Sequence, residues 1–438
     1  MTKIINNFKF KLGFNIKTIV LITFLVSLIF AILSIPDYIG NGLWGWERTL
    51  YFRIYDYISH GQIPYKDFFI EYPPLAPYFI TFPLSFTNGF SNPIFASLYC
   101  LLVGLWIIIY FLISNSLLLK LAIDKKTIAK YSLISLLCLI LTGTLVFTRY
   151  DIFPAILTAI GVGLYILYLN KNKRIIFIIA ILLIVLAGFL KLYPFLIIPL
   201  LIMTEIFRAK WTNIIISILI FLIILFINIP FILSGSGRFQ DFLKYQTERD
   251  IQIESTYASG LFLLEKAGFI KTNVTIQYGA LEINNDYTET IGKTSLPLIG
   301  LGCAAIYALF GYFLTRFKKH ILSYEKITHI IVLFSITLIS IFLFFNKVFS
   351  PQYIIWIITF IPLLALLSKD EHKKDRKKIL IILISITSLT LLVYPLLYNL
   401  IQKKELIGQL LLFSRNIAVG VLIFFLVRFA VKIFKDKK

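Results

Sequence analysis

The chain has 438 residues, of which 59% are hydrophobic and only 15% charged, and that balance excludes a water-soluble globular protein. Its net charge of +21 would suggest nucleic acid, but Lys and Arg sit in short clusters between apolar runs, as in 369–378 (KDEHKKDRKK), which excludes nucleic acid as a partner and points to membrane lipid headgroups.

A spanning helix needs about 20 apolar residues. In chain order the pattern predicts spans over 18–35, 95–119, 131–147, 152–169, 175–190, 192–207, 214–233, 295–315, 327–345, 350–368, 379–398 and 409–431. The expected architecture is an all-α polytopic membrane protein, one transmembrane domain over 1–438 with about twelve helices. The first run is too long for a signal-peptide core and lacks a small-residue cleavage site, so it reads as a retained helix. The first long loop, 36–94, carries Trp44, Trp46, Tyr51, Tyr65, Tyr72 and the prolines 73, 74 and 77, a composition suited to helices lying at the interface. A second long loop covers 234–294.

The segments 1–17, 120–130, 170–174, 207–213, 316–326, 369–378 and 428–438 hold 28 of the 43 Lys and Arg residues. The positive-inside rule therefore places them, and both termini, in the cytoplasm of a plasma-membrane protein, with the two long loops outside. Reading 175–207 as one helix would put 369–378 outside, so the charge pattern favours a hairpin turning at Lys191.

Cys100, Cys138 and Cys303 lie inside apolar runs, and the four histidines are far apart, which argues against a disulfide framework or a zinc site. No Walker-type phosphate loop is present, so an ATP-driven pump is excluded. The chemistry gathers on the outer side. Glu47, Asp56, Asp67 and Glu71 lie in the first loop, Arg149 and Asp151 at a helix junction, Lys191 at the next, Arg249 and Glu254 in the second loop, and Lys347 between helices. Ionisable groups at membrane depth are costly and mark function by default, with interfacial snorkelling and structural pairing as the plainer reading of any one of them. Asp67 and Glu71, four apart, would share a face if their segment were helical.

The stretch 61–77, GQIPYKDFFIEYPPLAP, resembles the first-loop signature of family 87 and related polyprenol-phosphate-sugar-dependent glycosyltransferases of the GT-C superfamily. Arg149-Tyr150-Asp151 resembles that superfamily's RYD segment, and Lys191-Leu192-Tyr193-Pro194 its K-x-Y-P segment. Phe345-Asn346-Lys347-Val348 with Ser350-Pro351-Gln352-Tyr353 and Trp356 is similar to the first mannosyltransferase of GPI-anchor assembly. The resemblance implies a GT-C bundle whose first outer loop holds the catalytic carboxylate. It also implies a lipid-phosphate sugar donor, a lipid or glycan acceptor and inversion at the anomeric carbon. The position of the usual acidic residue, fourteen before Gly61, is taken by Glu47 with Tyr51 one turn later, where the family commonly has Asp. The base is therefore expected among Glu47, Asp56, Asp67 and Glu71.

In this scheme a carboxylate takes a proton from an acceptor hydroxyl as polyprenyl phosphate departs. Arg149, Lys191, Arg249 and Lys347 would stabilise the charge on that phosphate. Tyr51, Tyr65, Tyr72, Asp151, Tyr193, Glu254, Asn346, Gln352 and Tyr353 would shape the site. No cofactor is implied, and a divalent ion is compatible with the scheme. A transporter or flippase for lipid-linked sugars is the rival class. It should show inverted repeats and discontinuous helices, and the enzyme reading requires Glu47, Arg149, Lys191 and Lys347 to converge on one outward-facing cavity.

Overall fold

In the computed structural model, residues 16–34, 45–82, 92–233, 244–245, 248–277, 279–317, 324–368 and 370–436 are described. The helices in the first half are α1 (Ile16–Leu33), α2 (Gly45–Ser59), α3 (Ala76–Thr81), α4 (Asn92–Lys120), α5 (Lys125–Leu141), α6 (Thr144–Thr148), α7 (Ile152–Lys171), α8 (Arg174–Leu190), α9 (Ile198–Phe207) and α10 (Trp211–Leu233). The second half contains β1 (Ile251–Gln252), α11 (Thr256–Lys266), β2 (Asn273–Gln277), β3 (Ala280–Asn284), α12 (Thr288–Phe317), α13 (Tyr324–Phe345), α14 (Ile355–Ile358), α15 (Lys373–Leu391), α16 (Tyr398–Gln402) and α17 (Leu406–Lys435).

Among the described residues eight helices are long and apolar enough to cross a membrane, and each falls on an expected span. Three further expected spans correspond to shorter apolar helices over 174–190, 193–207 and 351–367. Residues 131–147 fall on α5 and α6, separated by Gly143 in a left-handed conformation (φ 62°). The protein is thus a helical multi-pass membrane protein. What the sequence pattern did not give is a small antiparallel sheet in the second long loop, ordered β1-β3-β2, with Ile251 opposite Ile283 and Val274 opposite Ile283 on the other side.

The centre of the bundle is α7, nearly all of whose residues are buried, flanked by α8 and α4. Gly161 sets the approach of α7 to α8, because an added Cβ would lie 2.5 Å from the Ile184 side chain and 3.1 Å from the Ala180 carbonyl oxygen. The chain reverses at Lys191, as the cation pattern requires. The Tyr150 hydroxyl reaches the Leu190 carbonyl (3.3 Å) at one end of the bundle, while Tyr165 and Tyr168 donate to Glu205 (2.8 and 2.9 Å) at the other.

That second end also gathers the basic segments. Arg208 pairs with Glu205 and donates to Asn172, Arg376 lies over Tyr131, Lys326 donates to the Asp436 carbonyl, and Lys432 pairs with Asp375 at 2.7 Å. Among the described residues, the expected cytoplasmic segment 170–174 thus meets 207–213, and 428–438 meets both 316–326 and 369–378.

Candidate active site

At the long-loop end three helix breaks meet. They fall at Arg149–Asp151 before α7, at Lys191 after α8, and at 346–350 after α13. Each has a local cause. Pro154, Pro194 and Pro351 stand in the first turns that follow, where a missing N–H costs nothing and a preceding helix cannot run on. Beyond Pro351 the chain continues as a 3₁₀ turn, the short α14 and a second 3₁₀ stretch over Ile361–Leu367, almost all of it buried. Irregular backbone at this depth is tolerated where it is enclosed by protein or lines a cavity.

The breaks, the first loop and β1 enclose a cavity of about 600 Å³. Of the expected residues, Tyr51, Glu71, Tyr72, Arg149, Asp151, Lys191, Tyr193, Arg249, Glu254, Asn346, Lys347, Gln352 and Tyr353 line it. Asp151 precedes α7 but makes no cap bond with its side chain. Its Oδ1 instead pairs with Lys191 Nζ at 2.9 Å and accepts the Trp356 indole N–H at 2.9 Å. Tyr193, Trp356 and Tyr353 form a continuous ring stack, with centroids 4.0 and 4.2 Å apart, and the Lys191 ammonium lies over Tyr150, Tyr353 and Trp356 at 4.6, 5.0 and 5.6 Å. The cation is held by one carboxylate and three ring faces.

A second cationic group comes from the second loop. Arg249 pairs with Glu282 of β3 at 3.0 Å and stands over the Tyr245 ring. Lys347 donates to the Arg249 carbonyl, and burial holds its ammonium below the usual lysine range. Gln252 ties the same region together, its backbone N–H reaching the Lys347 carbonyl at 3.0 Å and its side chain reaching Ser350 at 2.8 Å. The Asn346 side chain accepts from Val348 N at 3.1 Å and shapes the turn.

The first-loop residues separate. Tyr51 accepts a hydrogen bond from the Tyr150 backbone N–H at 3.2 Å, joining α2 to the RYD segment. Glu71 accepts from the Tyr245 hydroxyl, and Tyr72 packs edge-on against Tyr150. Tyr65 is buried away from the cavity, in a left-handed conformation (φ 66°), where its hydroxyl donates to the Tyr72 carbonyl and braces the loop. Asp56 lies outside the cavity, 53% exposed and 3.5 Å from His60. Asp67 is exposed and accepts from Ile63 N at 2.7 Å. The stretch between Asp67 and Glu71 is bend and turn, not helix, so the shared helix face expected for that pair does not exist. Glu47 belongs to α2, one turn before Tyr51, and its side chain lies outside the described residues.

Several site residues escaped the sequence reading. Tyr245, Glu282 and Tyr398 needed the tertiary fold to be seen. Arg415 and Asn416, both fully buried in α17, carried a legible signal, an ionisable residue within the predicted span 409–431. They hold the backbone of Glu254 and Ser255: Arg415 Nη2 donates to the Glu254 carbonyl, and Asn416 Nδ2 to the Ser255 carbonyl at 3.0 Å. Burial raises the Glu254 carboxyl above the usual range, opposed by the hydrogen bond from Tyr398. Among the described residues no group of three His, Cys, Asp or Glu is placed to hold a metal ion.

The glycosyltransferase family 87 model matches residues 69–273 of this chain, a stretch that carries Glu71, Arg149, Asp151, Lys191, Arg249 and Glu254. That match, over just under half of the chain, and the multi-pass helical architecture support a membrane glycosyltransferase of the GT-C type. The crystal structure of ArnT from Cupriavidus metallidurans in the apo state aligns over 94% of this chain and 77% of its own, with 12% sequence identity and a TM-score of 0.42. No curated protein matches the chain.

Proposed function

We propose that the protein transfers a hexose, mannose being the first candidate, from a polyprenyl-phosphate donor to a lipid or glycan hydroxyl on the outer face of the membrane. The observation that carries this reading is the convergence of Arg149, Lys191, Arg249 and Lys347 with carboxylates on one cavity. Polyprenyl phosphate leaves with increasing negative charge, and fixed cations in a site screened from water stabilise that charge without reorganising. Leu192 and Leu296, 54% and 74% exposed, also line the cavity and offer an apolar flank to the prenyl chain.

The general base in this reading is Glu47. It stands in α2 one helical turn before Tyr51, at the position where the resemblance places the catalytic carboxylate, and Tyr51 lines the cavity. Glu71 is the alternative, but its Oε2 already accepts the Tyr245 hydroxyl, a setting that suits a substrate-positioning group better than a proton acceptor. The base removes the acceptor proton as the hydroxyl attacks, giving inversion in one displacement.

Transfer itself is the test. Purified protein given short-chain polyprenyl-phosphate hexoses and membrane lipid extract should release polyprenyl phosphate in step with a new hexosylated product seen by mass spectrometry. Lipid-linked sugar moved across vesicle membranes with no new glycosidic bond would make the protein a carrier instead.

The outer-face assignment has its own check. The native cysteines are buried, so single cysteines introduced at exposed Lys271 and Lys374 report cleanly. In intact cells an impermeant thiol reagent is expected to label Lys271→Cys and spare Lys374→Cys; the reverse pattern would invert the topology.

A further inference from the structure

Glu254 is 4% exposed and lines the cavity. Its Oε1 accepts the Tyr398 hydroxyl at 2.8 Å, while Oε2 is buried with no hydrogen-bond partner among the described residues. An unsatisfied buried carboxylate oxygen is expensive, and its persistence in a native fold calls for an explanation. The surroundings are built to hold it still. Arg415 and Asn416, fully buried, grip the Glu254 carbonyl, with Asn416 Nδ2 at 3.3 Å, and Arg415 Nε is fixed to Asn416 Oδ1 at 2.9 Å. The Arg415 guanidinium is seated 4.1 Å from the centre of the Phe349 ring. The next residue, Ser255, caps α11 through Ala258 N at 3.1 Å, so the backbone is also pinned from its C-terminal side.

Among the parts of a lipid-linked sugar, only one can satisfy this oxygen. A phosphate would meet like charge at Oε2, and a prenyl chain would leave the oxygen unsatisfied. A hydroxyl satisfies it by donating its proton in a charge-assisted hydrogen bond. Within a cavity that receives a lipid-linked sugar, the part of the ligand rich in hydroxyls is the sugar ring. The perpendicular Tyr394 and Tyr398 rings, centroids 5.2 Å apart, add aromatic surface to the same wall of the cavity.

We infer that Glu254 reads one hydroxyl of the transferred sugar through Oε2 and so sets which sugar the enzyme accepts. This inference rests on the glycosyltransferase reading above. Arg415 and Asn416 are positioning residues that act through the Glu254 backbone.

The experiment uses the full-length purified enzyme with the polyprenyl-phosphate hexose it transfers best, and with the mono-deoxy and mono-deoxyfluoro analogues of that sugar at each hydroxyl. At one position wild type is expected to reject both analogues by about 10²-fold in kcat/KM, because neither can donate to the carboxylate. Glu254→Gln keeps the side chain's shape and its acceptor for Tyr398 but presents an N–H donor where Oε2 stood. At that position alone the deoxyfluoro analogue should then outperform the deoxy analogue, by roughly tenfold more than in wild type. The inductive effect of fluorine on the chemical step is common to both enzymes and cancels in this ratio of ratios. Glu254→Met should flatten discrimination at the position altogether. If Glu254→Gln slows every analogue by the same factor, the carboxylate is structural, bridged to Arg415 Nη1 by water, and the inference is overturned while the transferase reading stands. If wild type transfers no sugar from any donor, both fall together.

Discussion

Replacing Glu47 with Gln is expected to lower turnover by about 10²- to 10⁴-fold while leaving donor binding intact, the usual consequence of removing a general base. Gln preserves size and hydrogen-bonding capacity and removes only the ability to take up a proton. The effect should therefore appear in kcat, with KM for the donor little changed. Glu47→Asp should keep measurable activity, since the resemblance places Asp at this position in related enzymes, although about 1 Å of retraction misaligns the oxygen and lowers the rate. Glu71→Gln is the necessary companion. Glu71 lines the cavity and holds Tyr245, so its replacement is expected to raise KM more than it lowers kcat. If Glu47→Gln turns over normally and Glu71→Gln is inactive, the base is Glu71. Asp56 and Asp67 are engaged locally, with His60 and with Ile63 N, outside the cavity, and their amide variants should be close to wild type.

The second large effect is expected at Lys191. Lys191→Met removes a cation that we propose faces the leaving phosphate, and transfer should fall by about 10²- to 10³-fold. Folded stability should fall as well, because Asp151 is buried at 1% exposure and would lose its 2.9 Å ion-pair partner while keeping the Trp356 indole N–H. Leaving a buried carboxylate without its counter-charge typically costs about 3–5 kcal/mol, so a lowered Tm should accompany the lost activity. The two consequences separate in the double variant Asp151→Asn/Lys191→Met. It should recover most of the thermal stability, since no charge is then left unpaired, and recover none of the transfer. Activity returning with stability would show that Lys191 serves only the fold. Lys191→Arg should not substitute, because a planar guanidinium cannot occupy the space between the Tyr150, Tyr353 and Trp356 faces as an ammonium does.

The sequence was most informative where polar residues interrupt apolar runs. Arg149-Tyr150-Asp151, Lys191-Leu192-Tyr193-Pro194 and the 346–356 segment each mark a place where a helix stops, and a bundle brings its helix ends into one layer. The cation clusters also placed the hairpin at Lys191, because charge constrains which end of a helix faces the cytoplasm. Pairing was not legible. Nothing in the spacing says that Asp151 belongs to Lys191 and Trp356, or that Arg249 belongs to Glu282, since those contacts join segments far apart in the chain. The sheet was hidden for a related reason. β1 is two residues long, too short for a periodic signal, and gains its pairing from β3 after an intervening helix. Asp56 and Asp67 were indistinguishable from Glu71 as first-loop carboxylates because their local contacts, with His60 and with Ile63 N, do not show in composition.

The proposed reaction is a single displacement at the anomeric carbon inside this cavity, with a carboxylate as base and the cations on the leaving phosphate. The most direct measurement is the anomeric configuration of the product, determined by NMR after transfer from a polyprenyl-phosphate hexose of known configuration. One inverting displacement predicts that a β-linked donor yields an α-linked product, and that Glu47→Gln yields almost none of it. A product that retains the donor's configuration would require a glycosyl-enzyme intermediate or two successive displacements and would contradict the mechanism.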